Sequence, residues 1–214
     1  MVKVIAIGYR CMTSMALRHF GFQQESLPFD WLGASLSAIT AALQDDLRAM
    51  LLPTDIAPFL DIGPLHDQNR TVVNKYGMAC THVFKKKLTG REQEEEVLAT
   101  AKRRSERLLS ILKGEEPVVF VRHQAEGQAS PKYEEWEEFL ATVRTKFPSL
   151  CFRTLYVQVL KTGKEAPKVP PGIKLLVGDY PIEPVKGEFE SPEARCPEVM
   201  RSVIDNLCRN VTKN

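Results

Sequence analysis

The sequence predicts an α/β fold: a mostly parallel sheet with helices on both faces, plus a short β-hairpin near residues 71–84. Three observations predict it. Short, nearly continuous apolar runs recur at Val2–Ile7, Pro117–Val121, Phe152–Leu160 and Ile173–Val177, as in strands buried on both faces. Between them lie stretches with apolar residues three and four apart, the pattern of amphipathic helices. Strands that alternate with helices in this way build parallel sheets.

The first strand, Val2–Ile7, exits through Gly8. From Cys11 the pattern turns helical, with Met12, Met15, Ala16 and Phe20 on one side and Gly21 as the stop. Phe22 to Trp31 reads as an extended loop in which Pro28 biases Leu27 away from helix. Ser35 opens a second helix through Leu36, Ile39, Leu43, Leu47 and Met50, stopped by Pro53. Pro53 to Pro64 is irregular. Thr71 to Phe84 reads as strand, turn, strand, with the turn near Lys75–Gly77, and Cys80 and His82 share a face of its second arm.

Thr89-Gly90-Arg91-Glu92 has capping-box spacing and introduces a long charged helix to about Lys113. The strand Pro117–Val121 ends in Arg122-His123-Gln124. Ser130-Pro131 starts a helix through Tyr133, Trp136, Leu140, Val143 and Phe147, and Pro197–Val211 forms the closing one. No repeat, low-complexity tract or linker divides the chain, so one domain over 1–214 is expected.

Composition narrows the function classes. A net charge of +2 is too small to point to nucleic acid or an anionic membrane. No apolar run approaches the ~20 residues of a membrane span, and the start lacks the regions of a signal peptide. Five cysteines are an odd, scattered set without a CxxC pair, which predicts neither disulfides nor a zinc site and suits a reducing cytoplasm. No GxGxxG, Walker or HExxH pattern occurs, so no cofactor or metal is expected. The expected partner is a small-molecule or peptide substrate.

The chemistry-bearing residues cluster at predicted strand ends: Gly8-Tyr9-Arg10-Cys11, Arg122-His123-Gln124 and Gly178-Asp179-Tyr180. Cys11 falls at the first turn of a helix leaving a strand, where backbone N–H groups and the helix dipole stabilise a thiolate below the usual ~8.5. Asp30, between Phe29 and Trp31 and after Pro28, is shielded from water and needs N–H groups, an Arg or a His as partner. A thiolate, an imidazole and an orienting acid make a cysteine hydrolase. His82 and His123 are both open as the base, while His19 reads as a helix-surface residue and His66 as a turn residue. Trp31 and Arg10 are candidate substrate contacts. The alternative is a phospho- or glycosyl-ligand module in which Arg10, Arg122 and His123 hold an anion at the strand ends.

Gly8-Tyr9-Arg10-Cys11 followed by Pro28-Phe29-Asp30-Trp31 resembles the opening of a bacterial and viral family labelled "putative papain-like cysteine peptidase". Tyr76 leading to His82-Val83-Phe84, the Arg103-Arg104 pair, and the strand ending in Arg122 are similar to later family features. The resemblance covers about Val2 to Arg122. It implies Cys11 as nucleophile, His82 as base and Asp30 as orienting or substrate-binding acid. It also implies a nucleophile helix packed on an antiparallel sheet, whereas the periodicity implies a parallel one. Two features depart from the family: His82 is followed by Val83 where an Asp is usual, and the closing segment lacks an expected tryptophan.

Overall fold

The computed structural model describes residues 1–9, 11–50, 64–66, 69–85, 91–124, 128–160, 164–178 and 198–211, without the side chains of 49, 64–66, 69–73, 80–85, 91–94 and 198. Arg10, most of the proline-rich 53–64 stretch, the capping-box residues Thr89 and Gly90, and Asp179 with Tyr180 lie outside the described residues. In chain order the elements are β1 (Lys3–Ala6), α1 (Met12–His19), β2 (Leu32–Gly33), α2 (Leu36–Gln44), β3 (Pro64–His66), β4 (Asn69–Val73) and β5 (Ala79–Lys85). They continue with α3 (Arg91–Lys113), β6 (Val118–Gln124), α4 (Tyr133–Lys146), β7 (Phe152–Val159), β8 (Ile173–Gly178) and α5 (Glu198–Val211).

The four apolar runs pair as one parallel sheet in the order β1-β6-β7-β8. Period-two alternation sorts its side chains onto two cores. Ile5, Ile7, Val118, Phe120 and Tyr156 pack with α2, α3 and α4 through Leu36, Ile39, Leu43, Leu108, Leu112, Trp136 and Phe139. Val4, Ala6, Val119, Val121, Leu155 and Val157 pack on the other side with Ala16 and Leu17 of α1 and Met200 and Ile204 of α5. Helices therefore cover both faces. Among the described strands the order runs one way, without the reversal that opens a crevice in doubly wound sheets.

The hairpin is part of a second, antiparallel sheet, in the order β2-β5-β4-β3. Asn74 shapes its turn: the Asn74 Oδ1 accepts from the N–H groups of Tyr76 and Met78, both at 3.0 Å. Gly77 completes the turn at φ +75°. Two-residue β2 joins the edge of this sheet through Leu32↔Cys80 and Gly33↔Ala79. Periodicity cannot register a strand this short.

Two helix ends use one closure. After α1, Gly21 at φ +76° donates to the Arg18 carbonyl (3.0 Å) and Phe22 to that of Leu17 (2.8 Å), a Schellman motif. The second helix, expected to run to Pro53, ends at Gln44 with the same motif. Asp46 (φ 57°) donates to Leu43 O at 3.2 Å, and Leu47 (φ 61°) to Ala42 O at 2.7 Å. Leu47 is fully buried and Asp46 pairs with Lys146 at 2.6 Å, so packing and charge compensate two left-handed non-glycine residues. The buried stripe of α1 also differs from expectation. Thr13, Ser14, Ala16 and Leu17 are buried while Met12 and Met15 are half-buried, and His19 is exposed.

Candidate functional site

Cys11 is the N-cap of α1, half-buried and outside any disulfide. Its backbone is already helical (φ −54°, ψ −18°), so the helical repeat can be extended to it. At roughly 100° per residue, Cys11, Ser14 and Arg18 fall within about 60° of one another, whereas Thr13 lies about 160° from Cys11. The two stripes meet different neighbours. Ala16 and Leu17 face the sheet, and the Thr13 Oγ1 accepts from the backbone N–H of His123 at 3.3 Å. Ser14 and Arg18 face the loop that carries Asp30.

That loop is built around the Asp30 carboxylate, which is fully buried. Its Oδ2 accepts from Gln23 Nε2 at 2.6 Å, from the Leu27 N–H at 2.8 Å, and from Arg18 Nη2 at 3.5 Å. Ser14 Oγ donates to the Asp30 carbonyl at 2.9 Å, tying the loop to the first turn of α1. Arg107 of α3 donates to the Ser26 carbonyl at 2.8 Å and pairs with Glu25 at 3.0 Å, fastening its outer side. Burial pushes the Asp30 carboxyl above its ordinary range, against the Gln23 and Leu27 hydrogen bonds and the Arg18 charge, which pull it down. Arg104 is half-buried within reach of the Asp30 charge, while Arg103 beside it is exposed. Trp31 is half-buried, with the Arg18 guanidinium 5.9 Å from its ring centre.

The shielding expected for Asp30 is therefore present, with two of the three partner types foreseen, an N–H group and an arginine. Nothing in the sequence position of Gln23 marks it as a partner of Asp30. Ser14 and Arg18 are readable as the residues one and two turns beyond Cys11 on its own stripe.

His82 lies on β5, two positions beyond the Cys80↔Leu32 pair, and its side chain is outside the described part. The loop after β1 lies against the same sheet edge, because the Ala34 N–H donates to the Tyr9 carbonyl at 3.0 Å. The Cys11 turn, the Asp30 loop and the start of β5 thus adjoin.

Arg122 and His123, expected to share an anion, are not brought together. Consecutive strand residues point to opposite faces. Arg122, 1% exposed, lies on the α2/α4 side and donates to Gln124 Oε1 (3.2 Å), Ile7 O (2.8 Å) and Ala34 O (3.3 Å). Burial lowers it to about 10, so it stays cationic at neutral pH. His123 lies on the α1/α5 side, buried, its Nε2 without a hydrogen-bond partner among the described residues, and burial lowers it to about 4. It is a neutral core imidazole at physiological pH.

Among the described residues, no group of three or more His, Cys, Asp or Glu is placed to hold a metal ion, and no helix is long and apolar enough to cross a membrane. Fold and site define an α/β protein with a cysteine at the mouth of a helix, beside a small antiparallel sheet. The chain belongs to the family described as "Putative papain-like cysteine peptidase (DUF1796)", whose profile matches residues 2–162. That span contains Cys11, Asp30, His82, Arg122 and His123 and stops before β8. No curated protein and no solved structure matches the chain.

Proposed function

We propose that this protein is a cysteine-nucleophile hydrolase or acyl transferase acting on amide or thioester carbonyls of a small-molecule or peptide substrate. The observation that carries the reading is the position of Cys11: half-buried, at the N-cap of α1, on the helix stripe that faces the Asp30 loop and away from the sheet. The family description supports the same class.

In this mechanism the Cys11 thiolate attacks the carbonyl carbon and forms a C–S bond. Backbone N–H groups at the start of α1 stabilise the oxyanion. The intermediate collapses, and the leaving amine or thiol takes a proton from the imidazolium of His82. Water or an acceptor nucleophile, deprotonated by His82, then attacks the thioester and releases Cys11. His82 is preferred over His123 as base because His123 is buried beside the Thr13 stripe, away from Cys11. Asp30 acts as a positioning acid, holding the loop against the first turn of α1. Trp31, half-buried in that loop, and Arg10 border the substrate.

The test is intact-mass detection of an acyl adduct on incubation with a panel of aryl thioesters and peptidyl coumarin amides. Wild-type protein gains one acyl group at Cys11 and turns the substrate over. Turnover retained by a folded Cys11→Ala protein would exclude the reading.

A further inference from the structure

We infer that Arg122 is a positioning residue for Cys11: its guanidinium fork sets the spacing between the turn that delivers the thiol and the strand pair that carries His82. The inference rests on Cys11 as nucleophile and His82 as base.

The two ends of the fork hold different segments. Nη1 donates at 2.8 Å to the carbonyl of Ile7, the last residue of the first apolar run and four before Cys11. Nη2 donates at 3.3 Å to the carbonyl of Ala34, two residues past Leu32, which pairs with Cys80 on the His82 strand. The Ala34 N–H returns to the Tyr9 carbonyl at 3.0 Å, closing a ring of bonds across the exits of β1 and β2. Behind the fork, Nε donates at 3.2 Å to Gln124 Oε1, and Gln124 Nε2 donates to the Ala129 carbonyl, which fixes the guanidinium plane.

A buried cation is a poor way to fill a core, since an apolar side chain of similar volume often serves as well or better. Its advantage here is geometric. A planar fork with fixed donor directions grips two carbonyls at once, which a lysine ammonium does not reproduce. Both carbonyls belong to segments that lead to or from the Cys11 site, and Arg122 itself is buried from solvent.

The experiment compares wild type, Arg122→Lys, His82→Ala and the double variant. It reads iodoacetamide alkylation of Cys11 against pH by peptide mass spectrometry, amide exchange at Ala34, and thermal melting. Arg122→Lys is expected to slow Cys11 alkylation at pH 7 by about tenfold, to move its midpoint toward that of a free thiol, and to speed Ala34 exchange. In the His82→Ala background the same substitution changes alkylation less than about twofold, because both act through one approach geometry.

An unchanged Cys11 profile in folded Arg122→Lys overturns the inference, as do effects that multiply in the double variant; either leaves Cys11 as nucleophile untouched. If wild-type Cys11 is no more reactive than a free thiol, the nucleophile reading fails and the inference falls with it. Should Arg122→Lys not fold, Gln124→Met keeps the fork and loosens its plane. It is expected to shift the profile the same way by a smaller factor, and no shift overturns the inference.

Discussion

The carboxyl ends of β1 and β6 lie side by side in one parallel sheet, and both carry polar residues, yet they are built for opposite purposes. The β6 end is closed: all seven strand residues are buried, and Arg122 and Gln124 are engaged by backbone carbonyls and each other. The β1 end is open. Tyr9 and Cys11 are half-buried, and Cys11 stands where a helix begins. Position at a strand end is therefore not enough to mark a site. What separates the two is burial: the β6 end is sealed inside the fold, whereas Tyr9 and Cys11 at the β1 end are half-buried. The β6 end is the frame, and the β1 end is what it holds.

Four substitutions sharpen or break this contrast. Cys11→Ala should reduce acyl turnover by at least about a thousandfold while costing less than about 1 kcal/mol of stability. Substrate kinetics and a denaturation curve on one preparation check both halves. Arg122→Met should act on both: it slows Cys11 as Arg122→Lys does, and it destabilises by about 2–4 kcal/mol by leaving the buried Ile7 and Ala34 carbonyls without their donor. Urea unfolding measures it, and a loss below about 0.5 kcal/mol would show that the β6 end is not a frame.

His123 supplies a pH test. Its folded value is about 4 against 6.5, so its stabilising contribution is complete above pH 6.5 and is lost as pH falls through 4. The loss amounts to about 3 kcal/mol. Melting temperatures between pH 7 and 4 should show this slope in wild type and not in His123→Gln.

Asp30 has the opposite sign and the smallest effect. Its folded value is raised by burial, so its contribution is full below the usual carboxylate range and is lost as pH rises through the raised value. Asp30→Asn should accordingly destabilise less at pH 7 than at pH 3.5. Chemical unfolding at the two pH values checks the direction.

How much of this was readable in the sequence depended on whether the controlling contact was local. The four parallel strands are legible because each is a nearly continuous apolar run, and the hairpin because Lys75 to Gly77 carries turn chemistry. The α1 terminus was found because Gly21 occupies its left-handed position. The equivalent end of α2 was overrun because Asp46 and Leu47 adopt that conformation through a buried leucine and an ion pair to Lys146, a residue 100 positions away. The small antiparallel sheet was seen only as a hairpin, since β2 has two residues and no periodicity to read. Shielding of Asp30 was legible from its aromatic neighbours, whereas Gln23 as its partner was not. The separation of Arg122 from His123 is legible from strand alternation, since consecutive strand residues point to opposite faces.

The most direct measurement is site-resolved iodoacetamide alkylation of the folded wild-type protein across pH 5 to 10. Cys208 is the internal reference, since burial and then Asp205 push its thiol up. Cys11 should alkylate first, with a midpoint well below ~8.5 and a rate at pH 7 at least about tenfold that of Cys208. If Cys11 stays inert until the protein unfolds, the β1 end is as closed as the β6 end, and the site is elsewhere.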